Sequence, residues 1–283
     1  MTDKYAVIGN PIAHSQSPRI HAMFARQTGQ DMSYAAMLAP LDGFETTVRA
    51  FIAAGGCGVN VTVPFKEEAC RLGTRLTDRA RIAGASNTLL FDAEGIAGDN
   101  TDGVGLLRDI RQNLGRKISG MRVLLLGAGG AARGVILPLL LEHSAQLVIA
   151  NRSAQKAQVL TSQIIDALAD LPTEINSGIP LPAPTSCGLN QLAEDCFDIV
   201  INATSAGLGD NPIDIPGSVF APGCLAYEMM YGRYTPFMAQ AQNAQAQVSD
   251  GLGMLVEQAA EAFFLWRGVQ PDTLPVLKAL RGI

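Results

Sequence analysis

The sequence predicts an α/β protein of two domains, and two stretches carry that prediction. Residues 123–141, VLLLGAGGAARGVILPLLL, run apolar, turn through Gly127-x-Gly129-x-x-Ala132, then run apolar again for longer. That order reads as strand, tight turn and helix, with a second strand expected at residues 146–150, and it is the fingerprint of a dinucleotide-binding unit. The glycines let the backbone approach a pyrophosphate, and the helix that follows presents free N–H groups and the positive end of its dipole. Residues 58–66, GVNVTVPFK, alternate instead, with Val59, Val61 and Val63 on one face and Asn60 and Thr62 on the other. With 283 residues the chain is long enough for two ordinary domains.

In order along the chain, residues 5–9 read as a strand ending in Gly-Asn-Pro. A helix follows from Ser17, where serine caps and Pro18 takes the first helical position, toward a stop at Gly29. Residues 32–38 read as a strand and 44–54 as a helix ended by Gly55-Gly56. The alternating strand comes next, with Pro64 ending its pairing and Lys66 just past it. Residues 85–91 and 96–98 form a strand pair around a turn at 92–95, and a helix runs from Val104 toward Leu114. Residues 115–120 are polar and bounded by glycine, which marks a junction. The expected division is therefore residues 1–102 as one domain, 103–120 as connector helix and junction, and 121–251 as a Rossmann-type domain with later strands at 198–202 and 224–228. Residues 171–188 are rich in Pro, Ser and Gly and read as a surface loop. Helices at 252–266 and 274–280 close the chain.

The second strand of the nucleotide unit ends in Asn151-Arg152-Ser153, with Lys156 shortly after. An acidic residue there would hold a ribose 2′-hydroxyl, whereas asparagine flanked by cations attracts a 2′-phosphate. Charge-assisted hydrogen bonds of about 1.5–3 kcal/mol each would give roughly ten- to several-hundred-fold preference for NADP. A solvated helix face would carry the same two cations. The strand before them favours the phosphate reading.

Bulk composition excludes several classes. The net charge of −5 gives no reason to expect nucleic acid. Five cysteines form no C-x-x-C pair, and with three histidines no zinc site is visible. The odd cysteine count and the lack of a signal-like segment predict reduced thiols in a cytoplasm. The apolar run at 123–141 holds Arg133 and a glycine cluster, so strand plus helix explains it better than a membrane span.

Several ordered motifs make the chain resemble the shikimate dehydrogenase family over nearly its whole length. They are Gly9-Asn10-Pro11 through Ser15-x-Ser17-Pro18, Asn60-x-Thr62-x-Pro64-x-Lys66, Ala85-Ser86-Asn87-Thr88, and Gly98-x-Asn100-Thr101-Asp102-Gly103. They continue with Gly127-x-Gly129-Gly130-Ala131-Ala132-Arg133, Asn151-Arg152, Asn202-Ala203-Thr204, and Asp250-Gly251-x-x-Met254-x-x-x-Gln258-Ala259. The resemblance implies reversible reduction of 3-dehydroshikimate to shikimate by NADPH. It implies an N-terminal α/β substrate domain, completed by residues 252–283, and a C-terminal NADP-binding domain, with a cleft between them. Relatives occur as monomers and homodimers.

Residue by residue, the resemblance places Lys66 and Asp102 at the chemistry. A lysine within reach of the carbonyl oxygen stabilises the charge that hydride arrival leaves there and can supply the proton. Ser15, Ser17 and Tyr227 are implied at the substrate carboxylate, and Asn60, Thr62, Asn87 and Gln258 at the ring hydroxyls. On pattern alone Asn60 and Thr62 could equally line a solvent-facing edge, and Gln258 could be an ordinary exposed glutamine. Gly127, Gly129, Gly130 and Ala131 are implied at the pyrophosphate, Asn151, Arg152, Ser153 and Lys156 at the 2′-phosphate, and Thr204, Gly251 and Met254 near the nicotinamide. The chain departs from the commoner pattern at Lys156, where many relatives carry arginine, and at Glu228, where Asp or Asn is more usual. It departs again in the length of the 171–188 segment. The competing readings are a paralogue that oxidises quinate, or both quinate and shikimate, often with NAD, and a nucleotide sensor without turnover. A sensor could lose Lys66 or Asp102, and both are present.

Overall fold

The computed structural model describes residues 2–169, 181–192, 195–204 and 212–283. The chain divides into two compact units, one of Met1–Leu106 with Gly253–Ile283 and one of Leu107–Leu252.

The first unit runs β1 (Asp3–Gly9), α1 (Ser17–Thr28), β2 (Met32–Leu38), α2 (Phe44–Ala53), β3 (Gly56–Val61), α3 (Lys66–Leu72), β4 (Arg75–Leu76), α4 (Asp78–Ala83), β5 (Thr88–Asp92), β6 (Gly95–Asp99) and α5 (Asp102–Arg108), whose last residues pass into the second unit. Its sheet has the order β2-β1-β3-β5-β6-β4. β1 runs parallel to β2 and β3, and β5 is antiparallel to both β3 and β6. Strand alternation sorts the two faces. Ala6, Ile8, Val59 and Val61 pack with Phe44 and Phe65 on one side, where those two rings stack at 5.0 Å. Tyr5 points to the other.

Two local expectations differ. α1 begins at Ser17 with Pro18 in its first turn, but Ser17 does not cap it. The N-cap position is Gln16, whose side chain makes no capping bond, and the Ser15 hydroxyl accepts from the Ser17 N–H at 3.3 Å. The strand β3 stops at Val61, two residues short of the alternation, and Val63 is 57% exposed rather than in the core. The backbone turns immediately, the Phe65 N–H bonding to the Thr62 carbonyl at 3.0 Å.

The second unit opens with a wide helical turn, Asp109–Asn113, that continues α5. It then runs β7 (Arg122–Leu126), α6 (Gly130–Leu141), β8 (Gln146–Asn151), α7 (Ala154–Ala169), β9 (Thr185–Gly188), β10 (Phe197–Asn202), β11 (Phe220–Glu228), α8 (Pro236–Asn243) and β12 (Gln247–Ser249). The sheet order is β12-β11-β10-β7-β8-β9, every pair parallel. Counted along the chain this is 3-2-1-4-5-6, the doubly wound dinucleotide order, with its switch point between β7 and β10. Helices cover both faces of such a sheet, so its strands are apolar throughout. Val123, Leu124, Leu125 and Leu126 are all fully buried. The expected loop at 171–188 holds β9 at its end, while its residues 171–180 lie outside the described residues. Two helices return to the first unit: α9 (Leu252–Arg267), from its second residue on, and α10 (Thr273–Arg281). There α9 places Trp266 against Tyr5, rings stacked at 4.7 Å, with its indole N–H on the Leu89 carbonyl at 3.1 Å. Among the described residues no helix is long and apolar enough to cross a membrane.

Candidate active site

In the first unit, the C-terminal end of β3, the start of α3, the loop before α5 and one face of α9 converge on a buried polar cluster. Lys66 is the first residue of α3, and its Nζ donates to Asp102 Oδ2 at 2.5 Å. The two side chains are only 14% and 7% exposed. Exposed ion pairs are worth little, but here removing either partner leaves a charge buried without its counter-charge. The second Asp102 oxygen, Oδ1, accepts from Asn87 Nδ2 at 2.8 Å. Asn87 is the hub. Its amide also approaches Thr101 Oγ1 at 3.0 Å and Gln258 Oε1 at 3.2 Å. Its Oδ1 accepts from the Thr101 N–H at 2.8 Å and from Thr88 Oγ1 at 3.0 Å.

Asn60 extends the network. It lies on β3 between β1 and β5 and is 5% exposed, so the solvent-edge alternative does not hold for it. Its Nδ2 donates to Thr88 Oγ1 at 3.0 Å, and its Oδ1 accepts from the Tyr34 hydroxyl at 2.6 Å. Burial pushes the Tyr34 phenol up, against a smaller opposing effect of Ser17. Gln258 is likewise buried on α9, its Nε2 on the Leu255 carbonyl at 2.8 Å. Thr62 lies just past β3, its methyl packed where a Cβ on Gly9 would have to sit. Ser15 and Ser17 stand at the N-terminus of α1, a favourable place for a carboxylate. The structure thus brings Asn60, Lys66, Asn87, Asp102 and Gln258 into one bonded set.

Tyr227 is a correction. It lies on β11, which β10 and β12 flank on both sides, and it is completely buried. Its hydroxyl donates to Asp109 Oδ2 at 2.5 Å, so its one O–H is already spent inside the second unit. The tyrosine passed over in the sequence is Tyr231, half-buried and three residues past the end of β11. Ligands of doubly wound sheets bind outside the carboxyl ends of the strands. The strand end itself was the available signal.

In the second unit, Gly127 ends β7 at φ +112°, a conformation that favours glycine. A Cβ on it would stand 3.2 Å from the Ala203 carbonyl and from the Thr204 methyl. Gly129 caps α6 and is exposed, and a Cβ there would meet open space. The first N–H groups of α6, from Gly130 and Ala131 onward, have no partner within the helix. This is the cradle a pyrophosphate needs: an open backbone turn at a helix N-terminus beside the switch point. Residues 151–156 follow β8 as a second open edge. Asn151 Nδ2 holds the Ser153 carbonyl at 3.1 Å, and Ser153 Oγ accepts from the Lys156 N–H at 3.4 Å, opening α7. Arg152, Ser153 and Lys156 are exposed. The donor set and the shape fit a phosphorylated dinucleotide. Thr204 follows β10 next to the turn, and Gly251 lies against the segment after β11. Met254 is buried on α9 in the first unit, where its carbonyl closely packs Gly105.

Residues 7–89 match the family model of the shikimate dehydrogenase substrate binding domain, 109–178 that of shikimate / quinate 5-dehydrogenase, and 251–281 that of the shikimate 5′-dehydrogenase C-terminal domain. A shikimate dehydrogenase (NADP(+)) of Dechloromonas aromatica is 57% identical, over 100% of this chain and 98% of its own. The chain belongs to the shikimate dehydrogenase family. Among solved structures, an Ael1 enzyme of Pseudomonas putida superposes with a TM-score of 0.88 at 45% identity, covering 98% of each chain. The shikimate 5-dehydrogenase of Thermus thermophilus, in complex with NADP(H) and shikimate, superposes at 0.83 with 30% identity and 99% of each chain covered.

Proposed function

We propose that this chain catalyses the reversible reduction of 3-dehydroshikimate to shikimate with NADPH. The support is family membership over the full chain together with one observation, the buried pair of Lys66 and Asp102 held by Asn87. In this reading residues 1–102 with 252–283 serve the substrate and 121–251 the cofactor, in a cytoplasmic enzyme.

NADPH, when bound, supplies the hydride. As the substrate carbonyl carbon accepts it, negative charge grows on the carbonyl oxygen. The Lys66 ammonium donates a hydrogen bond to that oxygen and passes it a proton from Nζ. Asp102 keeps the ammonium aimed, and Asn87 keeps Asp102 aimed, so the donor need not reorganise during the reaction. In the oxidative direction neutral Lys66 takes the proton back. Asn60, Thr62, Asn87 and Gln258 hold the ring hydroxyls. Ser15 and Ser17 hold the substrate carboxylate at the start of α1, and Tyr231, half-buried past the end of β11, takes the part expected of Tyr227. Gly127, Gly129, Gly130 and Ala131 receive the pyrophosphate. Asn151, Arg152, Ser153 and Lys156 receive the 2′-phosphate, and Thr204, Gly251 and Met254 border the nicotinamide.

The test is an initial-rate assay crossing shikimate and quinate with NADP and NAD at matched concentrations. Turnover confined largely to shikimate with NADP is the expected result. Comparable quinate or NAD rates would replace it with a broader quinate/shikimate enzyme, and NADPH binding without turnover would overturn the catalytic reading.

A further inference from the structure

Glu228 is a charged side chain that none of the proposed chemistry uses. It ends β11 and is completely buried. Its Oε2 accepts from Asn202 Nδ2 and from Thr235 Oγ1, both at 2.8 Å, and its Oε1 accepts from the Met230 N–H at 3.1 Å. Among the described residues no cation pairs with it. Burial raises its pKa, and the three donors work against that rise. Thr235 Oγ1 also accepts from the Met238 N–H at 3.3 Å as the cap of α8, while its one O–H goes to Glu228. A group that faces three donors must act as an acceptor only, which is what a carboxylate is.

What that acceptor controls is the next residue inward. The Asn202 side chain has a donor end and an acceptor end and could present either. With its Nδ2 bound to Glu228, its Oδ1 faces Thr204. There it accepts from the Thr204 N–H at 3.0 Å and from Thr204 Oγ1 at 2.7 Å. The Thr204 methyl then rests 3.2 Å from the position a Cβ on Gly127 would take. The residues after Glu228 reach the other side of the site. The Met229 N–H bonds to the Asn202 carbonyl at 3.0 Å, and the Gly251 N–H bonds to the Met230 carbonyl at 2.9 Å. A Cβ on Gly251 would collide with the Met229 carbonyl. Both Thr204 and Gly251 are therefore set by the surroundings of one carboxylate, beside the switch point between β7 and β10.

We propose that Glu228 is a positioning residue for the nicotinamide end of the cofactor, locking the Asn202 amide and, through it, Thr204 in the arrangement that receives the ring. The inference rests on the NADP reading of this unit. It makes the departure at this position functional, since the carboxylate does more than fill a place in the core.

Glu228→Gln is the informative change, because it keeps the shape and removes the acceptor-only character. Whichever way the new amide turns, an N–H meets a donor, at Met230 or at Asn202 and Thr235. The experiment measures, by calorimetry on the full chain, the affinity for NADPH and for adenosine 2′,5′-bisphosphate, which lacks the nicotinamide half. The expected result is a loss of about ten-fold or more for NADPH with the bisphosphate within about two-fold of wild type. In the assay, kcat should fall while KM for shikimate stays within about two-fold, and Glu228→Asp, still an acceptor only, should lie closer to wild type than Gln. Should the Gln variant not fold, Thr204→Val decides, because it removes the hydroxyl that Asn202 holds and leaves Glu228 in place. The same selective loss of NADPH supports the inference, and unchanged NADPH affinity overturns it. Equal losses for both ligands in Glu228→Gln would reduce the residue to a structural role. A wild-type protein that binds neither ligand would overturn the cofactor reading itself.

Discussion

The residues assigned to substrate in the first unit and to the cofactor phosphates in the second are held in opposite ways. In the first unit Lys66, Asn87, Asp102, Thr101 and Gln258 are bonded to one another before any ligand arrives, and Asn87, Asp102 and Gln258 are each under 9% exposed. In the second, Arg152, Ser153, Lys156 and Gly129 stand exposed at an open backbone edge. The first arrangement is preorganised, its geometry settled during folding. The second is organised by backbone, with the Arg152 and Lys156 side chains exposed at its edge. Substitutions in the first region should therefore act on kcat and on stability together. Those in the second should act on cofactor affinity and leave the fold alone.

The sharpest way to break this comparison is Lys66→Ala. General acid catalysis typically contributes about 10²–10⁴-fold, and kcat should fall within that range with KM for shikimate changed little. The same variant leaves Asp102 buried with only Asn87 and so should also lower the melting temperature. A variant with near-normal kcat would remove Lys66 from the chemistry. Next in size is Arg152→Ala. Loss of one charge-assisted bond should raise KM for NADP by about ten-fold or more, with KM for NAD and the melting temperature unchanged. Equal effects on the two cofactors would mean that Arg152 is only a solvated charge.

The parts of this contrast that the sequence made legible are those carried by local pattern. The glycine turn after β7 follows from Gly127, Gly129 and the flanking apolar runs, because parallel strands are buried on both faces and announce themselves as continuous hydrophobic stretches. Alternation sets Asn60 apart from the valines beside it and leaves Lys66 just past the strand, but the roles given to both rest on the resemblance and not on the pattern. What local pattern does not carry is partnership across the chain. Asn87 meets Gln258 across 171 residues, and Glu228 meets Asn202 because β10 and β11 pair in register. Neither pairing leaves a periodic trace. Tyr227 shows the same limit from the other side, since nothing local marks its hydroxyl as already spent on Asp109. Short elements were lost too: β4 and β12 are too brief to alternate. The helix α8 was missed as well, although Thr235 and Pro236 open it with a capping hydroxyl followed by proline.

The smallest effect tests a place where the first unit breaks its own rule. His21, on α1, is completely buried and stacks on Tyr34 with ring centroids 4.1 Å apart, among Phe24, Phe263 and Trp266. Neither ring nitrogen has a hydrogen-bond partner of ordinary geometry among the described residues. Burial pushes its pKa down to about 3, with Asn60 opposing only in part. The folded state therefore holds His21 neutral, while the unfolded chain takes up a proton below about pH 6.5. With the folded pKa depressed, its contribution is constant above pH 6.5 and is lost as the pH falls toward 3, at about 1.4 kcal/mol per unit. Between pH 7.5 and pH 5 that amounts to roughly 2 kcal/mol. His21→Phe keeps the ring in its aromatic stack and has no proton to bind. Urea unfolding at the two pH values should show the wild type losing about 2 kcal/mol more than the variant over that interval. Parallel losses in the two proteins would mean that His21 finds water or a partner in solution.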